Sequence, residues 1–204
     1  FSISYKWFYY DWHHLRAFMA ERLGDWPTAS LEAERAEQYG DFRARTFVIL
    51  GHARARIGDL SGAEIAYKKA LYLHPNYPHT HNNLGNIYRR MGHLDLAVQA
   101  FQKALQLYPG FPEALNNLGN VYRDQGHLEK AIEAYLQATK GLSVPQVYYN
   151  LGFIYHLKGN ILLAQENYLQ ALKQDSDYVP ARRALSNLGV LPQATPGRKI
   201  GDEH

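Results

Sequence analysis

The strongest constraint on this chain is that it repeats itself. The stretch from His81 to Gly92 reads HNNLGNIYRRMG, and the stretch from Leu115 to Gly126 reads LNNLGNVYRDQG. Leu84 and Leu118 lie 34 residues apart; Leu50-Gly51 stands one such step earlier, and Leu151-Gly152 follows one residue short of it. A second signal travels in phase: Ala63, Ala97, Ala131 and Ala164 each open an Ala…aromatic…Ala run through Tyr67, Phe101, Tyr135 and Tyr168. A period of this length marks one supersecondary unit that cannot bury its apolar face alone, so that neighbouring copies must stack to make a core. The composition suits that outcome, with 46% hydrophobic and 20% charged residues, which is a globular rather than a disordered balance.

Within a copy the spacing predicts two helices. Leu84, Gly85 and Tyr88 share one face of a first helix. Glycine inside a helix costs about 1 kcal/mol relative to alanine, so its recurrence at positions 51, 85, 119 and 152 needs a cause. Close approach of two helices, where a side chain would collide, supplies one. A second glycine series (Gly58, Gly92, Gly126, Gly159) falls just after that helix, where a left-handed residue ends it. Ala97, Phe101 and Ala104 then share one face of a second helix, in a small-large-small order that lets the ring insert between neighbours.

These residues resemble the tetratricopeptide repeat family: Leu-Gly with a tyrosine three residues later, the mid-repeat glycine, the Ala…Phe/Tyr…Ala run, and a proline near the end such as Pro75 or Pro109. The resemblance implies an all-α fold, a right-handed α-solenoid of antiparallel helix pairs closed by a C-terminal capping helix. The expected divisions are an aromatic N-terminal helix with a degenerate repeat (1–43), repeats at 44–77, 78–111, 112–144 and 145–178, a capping helix (179–191) and a mobile tail (192–204). In the degenerate copy Gly24 and Trp26 keep register with Gly58 and Leu60, but Arg16-Ala17 stands where Leu-Gly is expected.

The family resemblance places the first helix of each pair along a concave groove, so the face opposite the Leu-Gly-Tyr stripe gives the candidate binding residues. In the second good copy these are Asn82, Asn83, Asn86 and Arg89. In the third they are Asn116, Asn117, Asn120 and Arg123. In the fourth they are Tyr149, Asn150 and Phe153. The first good copy offers Arg45, Val48, Ile49, His52 and Arg56. An asparagine amide carries both a donor and an acceptor, so a row of them at repeat spacing can pair with an extended peptide backbone. Asn83, Asn117 and Asn150 look like the asparagine ladder in the tetratricopeptide domain of O-linked N-acetylglucosamine transferase, and Ile49 interrupts the row. Two readings stand side by side: the amides hold a ligand, or they satisfy neighbouring groups between stacked helices. Arg89 and Arg123 suit an acidic partner or a local ion pair. Tyr149 and Phe153 suit a ligand or the capping helix.

The sequence also excludes chemistry. With no cysteine there are no disulfides, thiol nucleophiles or cysteine-ligated zinc. No phosphate-cradling glycine loop, nucleophile elbow or H-E-x-x-H pair occurs. The histidine groupings at 13–14 and 79–81 lack the four-residue spacing of a helical metal pair. The net charge of +3 is too mild for nucleic-acid binding, and no apolar run is long enough to span a membrane. The expectation is a non-catalytic scaffold with no cofactor and no metal, holding a protein or peptide partner in the groove. Two alternatives compete: the recruiting arm of a larger enzyme or membrane-anchored assembly protein, and a co-chaperone clamp for an acidic C-terminal peptide built on Arg45, Arg56 and Arg89. The chain opens on Phe1 and is read as a fragment of a longer or processed protein. Its dense aromatics through Trp12 suit packing on the degenerate repeat, a boundary with a membrane, or self-association.

Overall fold

The computed structural model describes residues 2–40, 43–141 and 144–190, with side chains from Phe8 onward. The expected tail at 192–204 lies outside the described residues. Eleven helices follow one another among the described residues, with no strand: α1 (Ser2–Leu23), α2 (Trp26–Gln38), α3 (Ala44–Ile57), α4 (Leu60–Leu73), α5 (Pro78–Arg90), α6 (Leu94–Leu107), α7 (Pro112–Asp124), α8 (Leu128–Ala138), α9 (Pro145–Leu157), α10 (Ile161–Gln174) and α11 (Val179–Asn187). The fold is an all-α solenoid of helix pairs. It divides into two compact units, Phe1–Val121 and Tyr122–His204, which are described separately.

In the first unit α2 packs on α1 and α3, and α4 on α3 and α5. Local chemistry sets the ends of each helix. Pro78 occupies the first turn of α5, where its missing N–H forfeits no hydrogen bond. Past the end of α5, Gly92 adopts φ +79° with open space around it, the left-handed conformation that a side chain disfavours. Asp59 caps α4 by accepting from the Gly62 N–H at 2.9 Å, while His93, at the same place before α6, makes no side-chain cap.

The glycine inside the first helix is explained by the ring opposite. A Cβ at Gly85 would sit 2.7 Å from Phe101 Cε1, and one at Gly51 would sit 2.5 Å from Tyr67 Cε1. Real carbon contacts need about 3.5–4.0 Å. Phe101 and Tyr67 are fully buried, each contributing roughly 1.5–3 kcal/mol of apolar burial. The first helix pair breaks this rule on both sides at once. Ala17 stands where the glycine is expected and Ala33 stands where the ring is expected, and both are buried without any exposed surface. With no ring to admit, the alanine Cβ fits.

Arg16, in place of leucine, follows the same logic. Glu32 on α2 is 1% exposed. Its carboxylate meets His13 Nδ1 at 2.5 Å, Arg35 Nη1 at 3.0 Å and Arg16 Nη2 at 3.5 Å. A buried carboxylate survives only when paired in this manner. The first pair therefore closes partly on an ionic network, whereas its successors close on rings and leucines.

In the second unit α9 packs on α8 and α10, and α10 packs on α11. Gly152 faces Tyr168 Cδ1 at 2.7 Å across a would-be Cβ and the Ala164 carbonyl at 3.1 Å. Ala181 and Leu185 of α11 join Ala164, Tyr168 and Ala171 in one cluster, so α11 covers the apolar side of α10. Burial pushes the Tyr168 phenol up to about 12, with the neighbouring Tyr149 adding to it.

Candidate functional site

In the first unit, the first helices α1, α3 and α5 line a cavity of about 530 Å³. Its wall is made by Glu21 of α1, by Arg45, Val48, Ile49 and His52 of α3, and by Thr80 and Asn83 of α5, with Ala70, His74, Tyr77 and His79 closing it. A hydrogen-bonded relay crosses three successive first helices here. Asn83 Nδ2 donates to His52 Nε2 at 2.8 Å. This leaves the His52 proton on Nδ1, which donates to Glu21 Oε1 at 2.6 Å. The ring of Tyr67 stands edge-on to His52 at 5.8 Å, and burial together with the Glu21 charge holds its phenol well above the usual range. Arg45 places its guanidinium over the Phe18 ring at 4.8 Å, a contact of about 0.5–2 kcal/mol that orients it at the cavity wall. Thr80 is buried, and its Oγ1 has no hydrogen-bond partner among the described residues.

The candidate asparagines divide by burial. Asn82 is buried and accepts from Asn117 Nδ2 at 3.0 Å, so one amide of the third copy is tied to the second. Asn83 and Asn117 are half-buried and each uses one N–H on the preceding copy, leaving a carbonyl oxygen and the second N–H to offer. Asn86 and Arg89 on α5, and Asn116 and Asn120 on α7, are also half-buried. Ile49, which interrupts the row, is 1% exposed and belongs to the core. Its place in the relay is taken by His52, one turn along.

In the second unit the candidates serve packing more than the groove. Asn150 is 3% exposed and accepts from Gln146 Nε2 at 3.1 Å; Gln146 Oε1 in turn accepts from the Tyr178 hydroxyl at 2.5 Å. Tyr149 stacks on Phe153 and meets Tyr178, the N-cap of α11, edge-on at 5.9 Å. Arg123 is paired with its neighbour Asp124 at 2.9 Å. Of the arginines considered for a carboxylate clamp, Arg45 lines the cavity, while Arg56 lies over the Trp26 ring at 5.1 Å.

Sequence reasoning missed Glu21, His74, Tyr77 and Thr80. Glu21 had a signal: projecting α1 as a first helix, despite its lost Leu-Gly, puts it on the side facing α3. Among the described residues no group of three or more metal-ligating side chains converges, and no helix is long and apolar enough to cross a membrane.

Comparison with known proteins agrees with this architecture. Three tetratricopeptide repeat family models match, over residues 51–92, 82–143 and 145–178. No match was found among curated proteins. Similar solved structures include MamA from Desulfovibrio magneticus, at 20% identity and TM-score 0.74 over 83% of this chain and 96% of that one. A thermophilic TPR protein of Thermus thermophilus matches at 20% identity and TM-score 0.70 over 89% and 100%. YrrB, described as a TPR protein with an unusual peptide-binding site, matches at 21% identity and TM-score 0.67 over 82% and 87%. At these identities the likeness concerns the fold. On the repeated Leu-Gly and Ala–aromatic–Ala positions, the helix pairs they build and the family models they match, the chain belongs to the tetratricopeptide repeat family.

Proposed function

We propose that the chain is a protein-interaction scaffold that holds an extended peptide along the first helices of its first unit, with one peptide side chain seated in the cavity beside His52 and Asn83. The cavity carries this reading, because it opens at the head of the asparagine row and shares Asn83 with it. A volume of about 530 Å³ lies within the range of small-ligand sites, about 300–1,000 Å³, and takes one large side chain. Asn83 and Asn117 then act mainly as acceptors for peptide N–H groups, since each has an N–H engaged inside the protein. Similarity in fold to YrrB is consistent with peptide binding but does not specify a ligand.

The test is a peptide-display selection on the whole chain, followed by calorimetric titration of the enriched peptide. The double variant Asn83→Ala/Asn117→Ala should bind at least tenfold more weakly at unchanged helicity, which is about 1.4 kcal/mol. Equal affinity for both proteins moves the binding surface off the groove.

A further inference from the structure

Asn83 and Asn117 stand one repeat apart, and each gives an amide N–H to the preceding copy, but the hydrogen bonds that start from them end differently. Asn117 Nδ2 donates to Asn82 Oδ1 at 3.0 Å. Asn82 is itself an amide, whose oxygen and nitrogen can exchange places, so nothing of fixed polarity closes that connection. The connection from Asn83 closes on Glu21. An ionised carboxylate can only accept, so at 2.6 Å it draws the His52 proton to Nδ1. The neutral ring then keeps an acceptor at Nε2, and Asn83, 2.8 Å away, has to meet it with Nδ2. Turned over, the same amide would set its oxygen against an unprotonated nitrogen, acceptor against acceptor. The polarity of a carboxylate on α1 thereby decides which way round an amide on α5 stands, through a ring on α3. Asn83 lines the cavity, and its Oδ1, across the amide carbon from Nδ2, makes no hydrogen bond among the described residues.

We infer that Glu21 is a positioning residue for the groove: through His52 it holds the Asn83 oxygen on the side away from the ring, so that a ligand meets an acceptor there and has to bring an N–H. The inference rests on the peptide reading above for its ligand, and on the relay alone for its mechanism. Glu21→Gln removes the fixed polarity and keeps the shape. A glutamine can accept from Nδ1 through Oε1 or donate to it through Nε2. Both tautomers of His52, and both settings of the Asn83 amide, are then self-consistent. In the second setting Asn83 turns its oxygen to a protonated Nε2 and presents its amino group in place of the oxygen, so the same point of the groove asks for a carbonyl.

The relay is read without any ligand, on the whole chain labelled uniformly with heavy nitrogen, at about pH 8, above the ordinary histidine range. Proton–nitrogen correlation spectra report which ring nitrogen carries the proton, and His52→Gln identifies the His52 signals by their loss. In the parent Nδ1 should read as protonated and Nε2 as bare. In Glu21→Gln the Nε2 signal should move toward the protonated position, while the signals of His13, which pairs with Glu32, stay in place. A parent proton on Nε2, or on both nitrogens, overturns the inference, and so does a His52 spectrum that Glu21→Gln leaves unchanged. The consequence for binding is read by calorimetry with the display-enriched peptide, methylated at one backbone nitrogen at a time. One methyl group should weaken binding to the parent roughly tenfold, the loss of one hydrogen bond, and should cost Glu21→Gln clearly less. Equal losses in the two proteins at every position overturn the claim on the ligand. If Asn83→Ala/Asn117→Ala binds the peptide as well as the parent, the groove reading fails instead, and the spectra by themselves sustain or overturn the relay.

Discussion

Replacing Gly85 with alanine pits two effects of opposite sign against each other. By helix propensity alone the change stabilises α5 by about 1 kcal/mol. The added Cβ, however, would lie 2.7 Å from Phe101 Cε1 and 2.9 Å from Cδ1 and Cζ, inside the roughly 3.5–4.0 Å of a relaxed carbon contact. Phe101 has no exposed surface and so no room to swing away. Overpacking of this kind costs about 1–3 kcal/mol; three short contacts on a locked ring argue for the upper part of that range. The net expectation is a destabilisation of about 1–2 kcal/mol. Shortening the ring should reverse the sign: in a Phe101→Leu background the same Gly85→Ala change should be neutral, or stabilising by up to about 1 kcal/mol. The assay is urea unfolding of the four proteins of the cycle, followed by far-ultraviolet circular dichroism. A Gly85→Ala variant more stable than the parent would refute the close-contact account, and so would equal destabilisation in both backgrounds.

His93→Asp should raise the thermal midpoint, because the backbone at His93 (φ −82°, ψ 67°) matches that of the working cap Asp59 (φ −77°, ψ 80°); a gain of about 1 kcal/mol is expected, and an unchanged midpoint would sink the reasoning. Glu32→Ala should cost about 2–4 kcal/mol in urea unfolding, since it strands the buried His13 and two arginine contacts; a cost below about 1 kcal/mol would mean the network contributes little. The Tyr168 phenol, held neutral by burial up to about 12, ties stability to alkaline pH. Because its folded value is raised, the contribution is complete below pH about 10 and is lost as pH climbs from there toward 12. Unfolding midpoints over that window should fall less steeply for Tyr168→Phe than for the parent.

The helix pairs were legible in the sequence because their determinants lie within one copy: Leu84, Gly85 and Tyr88 on one helix, and Ala97, Phe101 and Ala104 on the next, repeated in phase. The candidate site was legible only in part, because burial and hydrogen bonding there depend on the neighbouring copy. Nothing local to Asn83 and Asn117 shows that one amide N–H of the first is used on His52 and one of the second on Asn82. Asn150 occupies the same place before Leu-Gly as Asn117, yet it is buried and accepts from the exposed Gln146, which in turn accepts from Tyr178, because the next element there is the capping helix. The cavity wall at Glu21 was hidden for a different reason. It belongs to the copy that carries Arg16-Ala17 in place of Leu-Gly, so the motif that marks the groove face in the other copies is missing there.

That lost motif has a consequence for how such arrays diverge. Ala17 and Ala33 differ from the other copies at both positions at once, as the close contact between glycine and ring leads one to expect. Changing either alone passes through an unfavourable intermediate: a methyl group driven into a ring, or a hole where the ring had been. Lineages should therefore hold both ancestral residues or neither, with the mixed states rare and short-lived. A search that scores each column independently counts such a double exchange as two faults, although the pair is compatible. Repeats that carry the paired alanines will be under-counted by column scoring, and recovered by scoring the two positions jointly.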